Sequence, residues 1–138
     1  MMEKSMLNQG PLILIIEDDE DINENLQQIL EDEGYQTVGV GHGKEALDYL
    51  LHPPKKPNLI LLDLMMPVMD GRKFLDQFHS QTNEKKLNIP IVLLTAAGDK
   101  LENVTDQVQA LLKKPIELEE LLETVDHYCG RLVSSSRS

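Results

Sequence analysis

Three runs of aliphatic residues are too apolar to form strands that face solvent on one side. Leu12–Ile16, Leu59–Leu62 and Ile91–Leu94 contain no polar residue. A strand with one solvated face alternates polar and apolar side chains, whereas an unbroken apolar run of four or five residues is typical of a strand buried on both faces. Such strands occur in parallel sheets covered by helices. The three runs therefore predict an α/β fold.

The segments between these runs have the residue spacing of helices and of shorter strands. From about Asp21, apolar residues including Ile22 recur on one helical face, and Gly34 ends the pattern. The remaining elements are predicted as strands at Gln36–Val40 and Ala110–Leu112, and as helices at Gly43–Leu51, around Phe74, over the polar stretch from Asp99 to Gln107, and from about Glu117. This alternation predicts a doubly wound parallel sheet of five strands with helices on both faces.

The length of 138 residues corresponds to one domain. We expect a folded domain over residues 11–133, with a flexible N-terminus over residues 1–10 and a flexible polar tail over residues 134–138. Cys129 is the only cysteine, which excludes an internal disulfide and favours a reducing compartment. No apolar run approaches the roughly 20 residues of a membrane span, so we expect a cytoplasmic protein without membrane association.

The charge of the chain excludes one class of partner. The formal net charge is −11. Non-specific binding to DNA or RNA requires lysine and arginine side chains that neutralise phosphates, so direct nucleic-acid binding is not expected. Metal ions and basic protein surfaces remain compatible with this charge.

Five chemically active side chains follow the carboxyl ends of predicted strands. Glu17 and Asp18 follow the first strand, and Asp63 follows the third. Thr95 ends the fourth strand, and Lys114 follows the fifth. In an open parallel sheet these ends share one edge, which is where ligands bind.

The carboxylates at this edge predict a metal ion. Carboxylates within about 4 Å repel each other by about 4 kcal/mol per pair at an effective dielectric near 20, and a divalent cation removes that cost. Hard oxygen ligands favour Mg²⁺. Asp63 beside the metal is the candidate nucleophile, as carboxylates are in aspartyl-phosphate chemistry. The Thr95 hydroxyl and the Lys114 ammonium would then hold the phosphoryl oxygens.

Taken in order along the chain, these motifs resemble the receiver domain of two-component response regulators, as in stand-alone receivers of the chemotaxis and sporulation types. The resemblance extends from about Leu12 to Leu132 and is carried by Glu17-Asp18, the stretch Leu62–Gly71, Thr95-Ala96 and Lys114-Pro115. It implies a flavodoxin-like fold and a signalling switch rather than a turnover enzyme. It also implies phosphoryl transfer from a histidine kinase or histidine phosphotransfer protein, and a downstream protein target.

The same resemblance implies a role for each site residue. Asp63 matches the phosphorylated aspartate, and Thr95 matches the switch hydroxyl. Lys114 matches the family's lysine, which precedes a proline that often follows a cis peptide. The implied Mg²⁺ ligands are Asp18 directly, Glu17 through water, Asp63, and Met65 through its backbone carbonyl.

Two departures from the family pattern concern the readout of phosphorylation. Leu111 stands three residues before Lys114, where the family usually has tyrosine or phenylalanine, and the stretch from Thr95 to Lys114 is shorter than usual. We expect Leu111 to prefer burial in both states of the switch. A side chain buried in both states contributes little bias between them, so we predict a muted rearrangement.

Other functions are compatible with parts of the pattern. A haloacid-dehalogenase-type phosphatase also uses an aspartate nucleophile and a lysine, but it needs a second aspartate where Met65 stands. A degenerate receiver that binds partners without phosphorylation is disfavoured because no chemically required residue is missing. The chain ends soon after its last predicted helix, which favours a stand-alone receiver acting through protein contacts over a domain excised from a longer protein.

Overall fold

The computed structural model describes residues 10–66, 70–81 and 88–131. Five strands lie in this part of the chain: β1 (Leu12–Ile16), β2 (Gln36–Val40), β3 (Leu59–Asp63), β4 (Ile91–Thr95) and β5 (Ala110–Lys113). The helices there are α1 (Glu20–Asp32), α2 (Gly43–Leu51), α3 (Gly71–Gln81) and α4 (Leu118–Tyr128), together with one 3₁₀ turn at Thr105–Gln107. The predictions for residues 1–9, 67–69 and 132–138 lie outside the described residues.

The five strands form one parallel sheet in the order β2-β1-β3-β4-β5. The central strands β1 and β3 pair in register up to Ile16 and Leu62, so their carboxyl ends lie side by side. The chain adds β2 on one side of β1, and it then adds β3, β4 and β5 on the other side. The direction in which strands are added therefore changes between β1 and β3. That switch point is where open α/β sheets bind their ligands.

Two apolar layers cover the sheet, as the buried runs predict. Every residue of β1, β3 and β4 is buried. Alternate residues of these strands pack against α2 and α3 on one face and against α1 and α4 on the other. Each fully buried leucine or isoleucine contributes roughly 1.5–3 kcal/mol. The sheet is therefore a rigid base for the loops at its carboxyl edge.

Local signals fix both ends of α1. The Asp19 side chain caps the helix by accepting a hydrogen bond from the Ile22 backbone N–H at 3.1 Å. Gly34 ends the helical segment in the left-handed region, with φ of 94°. The start of the helix is thereby set directly after the acidic residues that follow β1.

The predicted helix from Asp99 to Gln107 is wrong. This segment consists of turns and the single 3₁₀ turn at Thr105–Gln107. Asn103 has φ of 63°, a left-handed conformation that interrupts any helix through this point. Val104 is buried and anchors the segment on the sheet. The doubly wound architecture is confirmed, with four α-helices in the described residues.

Candidate functional site

The carboxyl edge of the sheet brings the predicted site residues together. Glu17, Asp63 and Thr95 are each 2–3 % exposed. Asp63 is the last residue of β3, and Thr95 is the last residue of the adjacent β4. Asp18 is exposed at the same edge, beside the buried Glu17.

Lys114 connects β5 to the carboxylates. Its Nζ donates a hydrogen bond to Asp63 Oδ1 at 3.0 Å and lies 3.7 Å from Glu17 Oε1. Its backbone N–H donates to the Thr95 carbonyl at 2.6 Å. The peptide bond between Lys114 and Pro115 is cis, as the resemblance implied. Burial lowers the pKa of Lys114, but the hydrogen bond and charge of Asp63 and the charge of Glu17 outweigh it, and the net pKa is raised.

The buried Glu17 carboxyl group has the clearest pKa shift at the site. Its Oε2 accepts a hydrogen bond from the Asp19 N–H at 3.3 Å. Its Oε1 is buried and has no hydrogen-bond partner among the described residues. Burial, followed by the neighbouring Asp63 carboxyl, raises the pKa of Glu17 to about 7. A nearby cation stabilises a buried carboxylate oxygen of this kind, and among the described residues the Lys114 ammonium supplies that charge at 3.7 Å.

The donor set fits a divalent metal ion. Glu17, Asp18 and Asp63 each offer a carboxylate oxygen, and these oxygens lie within 4.8 Å of one another. The three converging carboxylates include Glu17 Oε1, which accepts no hydrogen bond from the described residues, and together they form a site of hard oxygen ligands. The cluster is therefore compatible with a divalent cation.

The roles predicted for the site residues remain predictions, including those of Met65 and Thr95. The Met65 side chain is 57 % exposed, two residues beyond Asp63, and the role of its backbone carbonyl as a ligand is not tested by this geometry. Thr95 is buried at the correct edge, but its role as a switch hydroxyl concerns a phosphorylated state.

The sequence pattern misassigned the first turn of α1. Ile22, predicted on the apolar face, is 40 % exposed, whereas Asn23 is buried. Asn23 shares the buried stripe of Leu26 and Leu30, at intervals of three and seven residues. A polar residue at a position on the buried face of a helix is the sequence signal that would have identified Asn23. Its Nδ2 donates to the Glu17 carbonyl and to the Val40 carbonyl, both at 3.0 Å.

Comparison with known proteins identifies the family. The sequence model of the response regulator receiver domain matches residues 13–126. The chain belongs to this family. Receiver domains act in two-component signalling and are generally signalling switches. The phosphatase alternative and the degenerate receiver are not favoured.

Related sequences and solved structures agree with this assignment. Response regulator Rre1 of Synechocystis sp. is 34 % identical over 128 residues, which cover 90 % of this chain and 54 % of that protein. PhoP of Bacillus subtilis, an alkaline phosphatase synthesis transcriptional regulatory protein, is 38 % identical over 67 % of this chain and 36 % of its own. The chain spans about half the length of the curated relatives it matches, or less.

Among solved structures, a CheY-like receiver domain from Methanospirillum hungatei is 28 % identical, with a TM-score of 0.76. That match covers 86 % of this chain and 94 % of that one. The receiver domain of a histidine kinase from Syntrophus aciditrophicus is 31 % identical, with a TM-score of 0.75, over 91 % of this chain and 96 % of its own. Within the described residues, each helix is too short or too polar to cross a membrane.

Proposed function

We propose that this receiver domain accepts a phosphoryl group on Asp63 from a histidine kinase or histidine phosphotransfer protein in the cytoplasm, and that it signals through contact with a downstream protein. The observation that carries the proposal is the buried Asp63 carboxylate, which Lys114 holds at 3.0 Å inside a cluster of oxygen ligands. We propose Mg²⁺ as the ion of this cluster, bound by Asp18 and Asp63, by Glu17 through water, and by the Met65 carbonyl.

The side chains of this domain have distinct parts in the transfer. Lys114 holds one oxygen of Asp63, which leaves the other oxygen to attack phosphorus. The bond between Asp63 and phosphorus forms as the bond between phosphorus and the donor's histidine nitrogen breaks. Lys114 and the Thr95 hydroxyl then offset charge on the phosphoryl oxygens. Bound Mg²⁺ supplies further positive charge to those oxygens.

These groups belong to the receiver itself and not to its donor. We therefore propose that the domain also catalyses its own phosphorylation by small phosphodonors, and the slow hydrolysis of its aspartyl phosphate. It needs the kinase mainly to present the phosphoryl group. In this proposal the receiver domain makes no direct contact with nucleic acid. The proposal concerns only the residues of this chain, because several longer relatives are transcriptional regulators.

An apolar groove shares Lys114 with the proposed phosphorylation site. The groove encloses about 320 Å³ between α1 and the start of α4, and Lys114 lines its edge. Ile22 and Leu118 are 40 % and 54 % exposed at its rim. Because Lys114 lines the groove and also donates to Asp63, a helix in this groove would lie beside Lys114. We propose that the histidine-bearing helix of the donor packs in this groove.

The phosphorylation test uses acetyl phosphate, Mg²⁺ and intact-mass measurement. We expect the mass of the wild-type protein to rise by one phosphoryl group, with the label lost on treatment with hydroxylamine. Asp63→Asn should abolish the label, whereas Asp48→Asn, which changes an exposed carboxylate on α2, should retain it. Labelling that persists in Asp63→Asn would assign the phosphoryl group to another residue and refute the proposal.

The donor groove has its own test. Ile22→Asp and Leu118→Asp should slow phosphotransfer from a phosphorylated kinase or phosphotransfer protein, but leave labelling by acetyl phosphate unchanged. Equal rates from the protein donor in both variants and the wild type would exclude the groove as the docking surface.

A further inference from the structure

Asn23 forms hydrogen bonds to the backbone beside the acidic cluster. Its side chain is 6 % exposed, although it lies in the first turn of α1. One amide nitrogen donates to two carbonyls, Glu17 O and Val40 O, each at 3.0 Å. These carbonyls stand at the carboxyl ends of β1 and β2. A single side chain therefore joins the ends of two strands beside the acidic cluster.

Neighbouring polar groups fix the orientation of this amide. Gln27 Nε2 donates to Asn23 Oδ1 at 2.8 Å, so the Asn23 oxygen must face Gln27 and its nitrogen must face the two carbonyls. The Gln27 oxygen in turn lies 3.3 Å from the Thr37 hydroxyl, which is 2.5 Å from a Glu31 carboxylate oxygen. A polar row thus runs along α1 against the edge strand β2.

Gly39 provides the space that this arrangement needs. A Cβ at Gly39 would lie 2.2 Å from Asn23 Oδ1 and 2.3 Å from Gln27 Nε2. The backbone of Gly39 does not have a positive φ, so the site requires glycine because of the side chains opposite it. An alanine at this position would displace Asn23 and Gln27 without straining the strand.

The hydrogen bonds of Asn23 lie at the point where the pairing between β1 and β2 ends. The pairing of β1 with β2 ends at Ile16 and Val40, and the Glu17 N–H makes one further bond to the Val40 carbonyl at 3.1 Å. Asn23 donates a hydrogen bond to the Glu17 carbonyl, so both the backbone N–H and the backbone C=O of Glu17 are hydrogen-bonded. The next residue, Asp18, is exposed.

We infer that Asn23 is a positioning residue for the divalent cation: it fixes the backbone at Glu17 so that the Glu17 and Asp18 carboxylates face Asp63 before the ion arrives. This inference rests on the proposed Mg²⁺ site. Groups that orient metal ligands typically change metal affinity about 10- to 100-fold when they are replaced. We therefore expect loss of Asn23 to weaken Mg²⁺ binding at least about tenfold.

The test follows backbone amide chemical shifts while Mg²⁺ alone is added. Asn23→Ala removes both hydrogen bonds, and Asn23→Asp places a carboxylate against two carbonyl oxygens. Asn23→Asp separates two explanations, since added negative charge near the site would tighten Mg²⁺ binding if charge alone decided affinity. We expect both variants to bind Mg²⁺ at least about tenfold more weakly than wild type. Unchanged or tighter binding by Asn23→Asp overturns the inference.

Two further variants separate positioning from general stability. Gly39→Ala should reproduce the loss of Mg²⁺ affinity, and combining it with Asn23→Ala should add little. Asn58→Ala is the matched control, because Asn58 Oδ1 accepts from the Leu12 N–H at 2.9 Å at the opposite end of β1. That variant should keep the wild-type Mg²⁺ affinity even if it unfolds more readily. Wild-type protein that does not bind Mg²⁺ would instead contradict the proposed function.

Discussion

Replacing Asp63 by asparagine should stabilise the metal-free domain, because the carboxylates of the site repel one another. The oxygens of Asp63, Glu17 and Asp18 lie within 4.8 Å of one another. At an effective dielectric near 20, each pair then repels by at least about 3.5 kcal/mol. Asp63 takes part in two such pairs, for a total of about 7 kcal/mol.

One attraction opposes this repulsion. Lys114 Nζ lies 3.0 Å from Asp63 Oδ1, which corresponds to about 5.5 kcal/mol at the same dielectric. Solvent screens part of both contributions, because Asp18 is exposed and the Lys114 side chain is 31 % exposed. Asparagine also avoids burying a charge at this position, and its oxygen still accepts a hydrogen bond from Lys114. We expect a net stabilisation of about 1–2 kcal/mol.

Urea unfolding measures this difference directly. The comparison is made in EDTA at pH 8, above the raised pKa of Glu17, and is followed by circular dichroism. Asp63→Asn should unfold at higher urea than wild type, and Asp48→Asn should match wild type. Added Mg²⁺ should narrow the gap, because it stabilises the protein that binds it more tightly. An Asp63→Asn variant that unfolds at lower urea in EDTA would show that the attraction to Lys114 dominates, and would refute the reasoning.

Three further predictions concern regions away from the cluster of Glu17, Asp18 and Asp63. The hydroxyl of the buried Tyr35 donates to the buried Asp126, so Tyr35→Phe should cost about 1–3 kcal/mol in urea unfolding at pH 7. Burial, followed by the hydrogen bond to Asp126, raises the pKa of Tyr35, so this contribution is fully present below the unfolded pKa of about 10. It is lost as the pH rises above that value, and the Tyr35→Phe difference should shrink there. Burial raises the pKa of Cys129 to about 12, so iodoacetamide at pH 8 should modify the native thiol at least about 100-fold more slowly than the urea-unfolded thiol. Hydrogen exchange should change little over residues 97–112 on binding of beryllofluoride, and wide deprotection or protection there would contradict a muted response at Leu111.

The sheet and the location of its site could be predicted from the sequence because both depend on strong signals. Burial on both faces leaves unbroken apolar runs, and the bounds of β1 agree with its run. A parallel sheet then places every strand end at one edge. The meeting of Asp63 with Lys114, which are 51 residues apart, follows from that topology.

Other structural features depend on three-dimensional contacts that the spacing of apolar residues in the sequence does not predict. The helical pattern of α1 counts Ile22 as buried, but this side chain lies at the rim of the groove between α1 and the start of α4 and is 40 % exposed. Asn23 is buried in its place because two carbonyls require its amide. The helix predicted from residue 99 fails at Asn103, whose left-handed backbone is one that asparagine adopts more readily than most residues but that the spacing of apolar residues does not predict.

The position of Leu111 sets a limit on how strongly this domain can signal through β5. Leu111, which the sequence predicts to prefer burial in both states of the switch, is partly buried against the core in this structure. It therefore has some area left to bury in another state, which is worth a fraction of the roughly 1.5–3 kcal/mol of a whole leucine, or about 1 kcal/mol at most. One kcal/mol changes a population ratio about fivefold, whereas moving an equilibrium from 1:99 to 99:1 requires about 5.5 kcal/mol. Leu111 alone cannot supply that difference.

Any larger response must come from contacts that change elsewhere, and the segment from Ala96 to Gln109 offers only Val104 as a buried anchor. The groove between α1 and α4 shares Lys114 with the site, so in the proposed function it is a surface whose contacts can change with the state of Asp63 without any movement of Leu111.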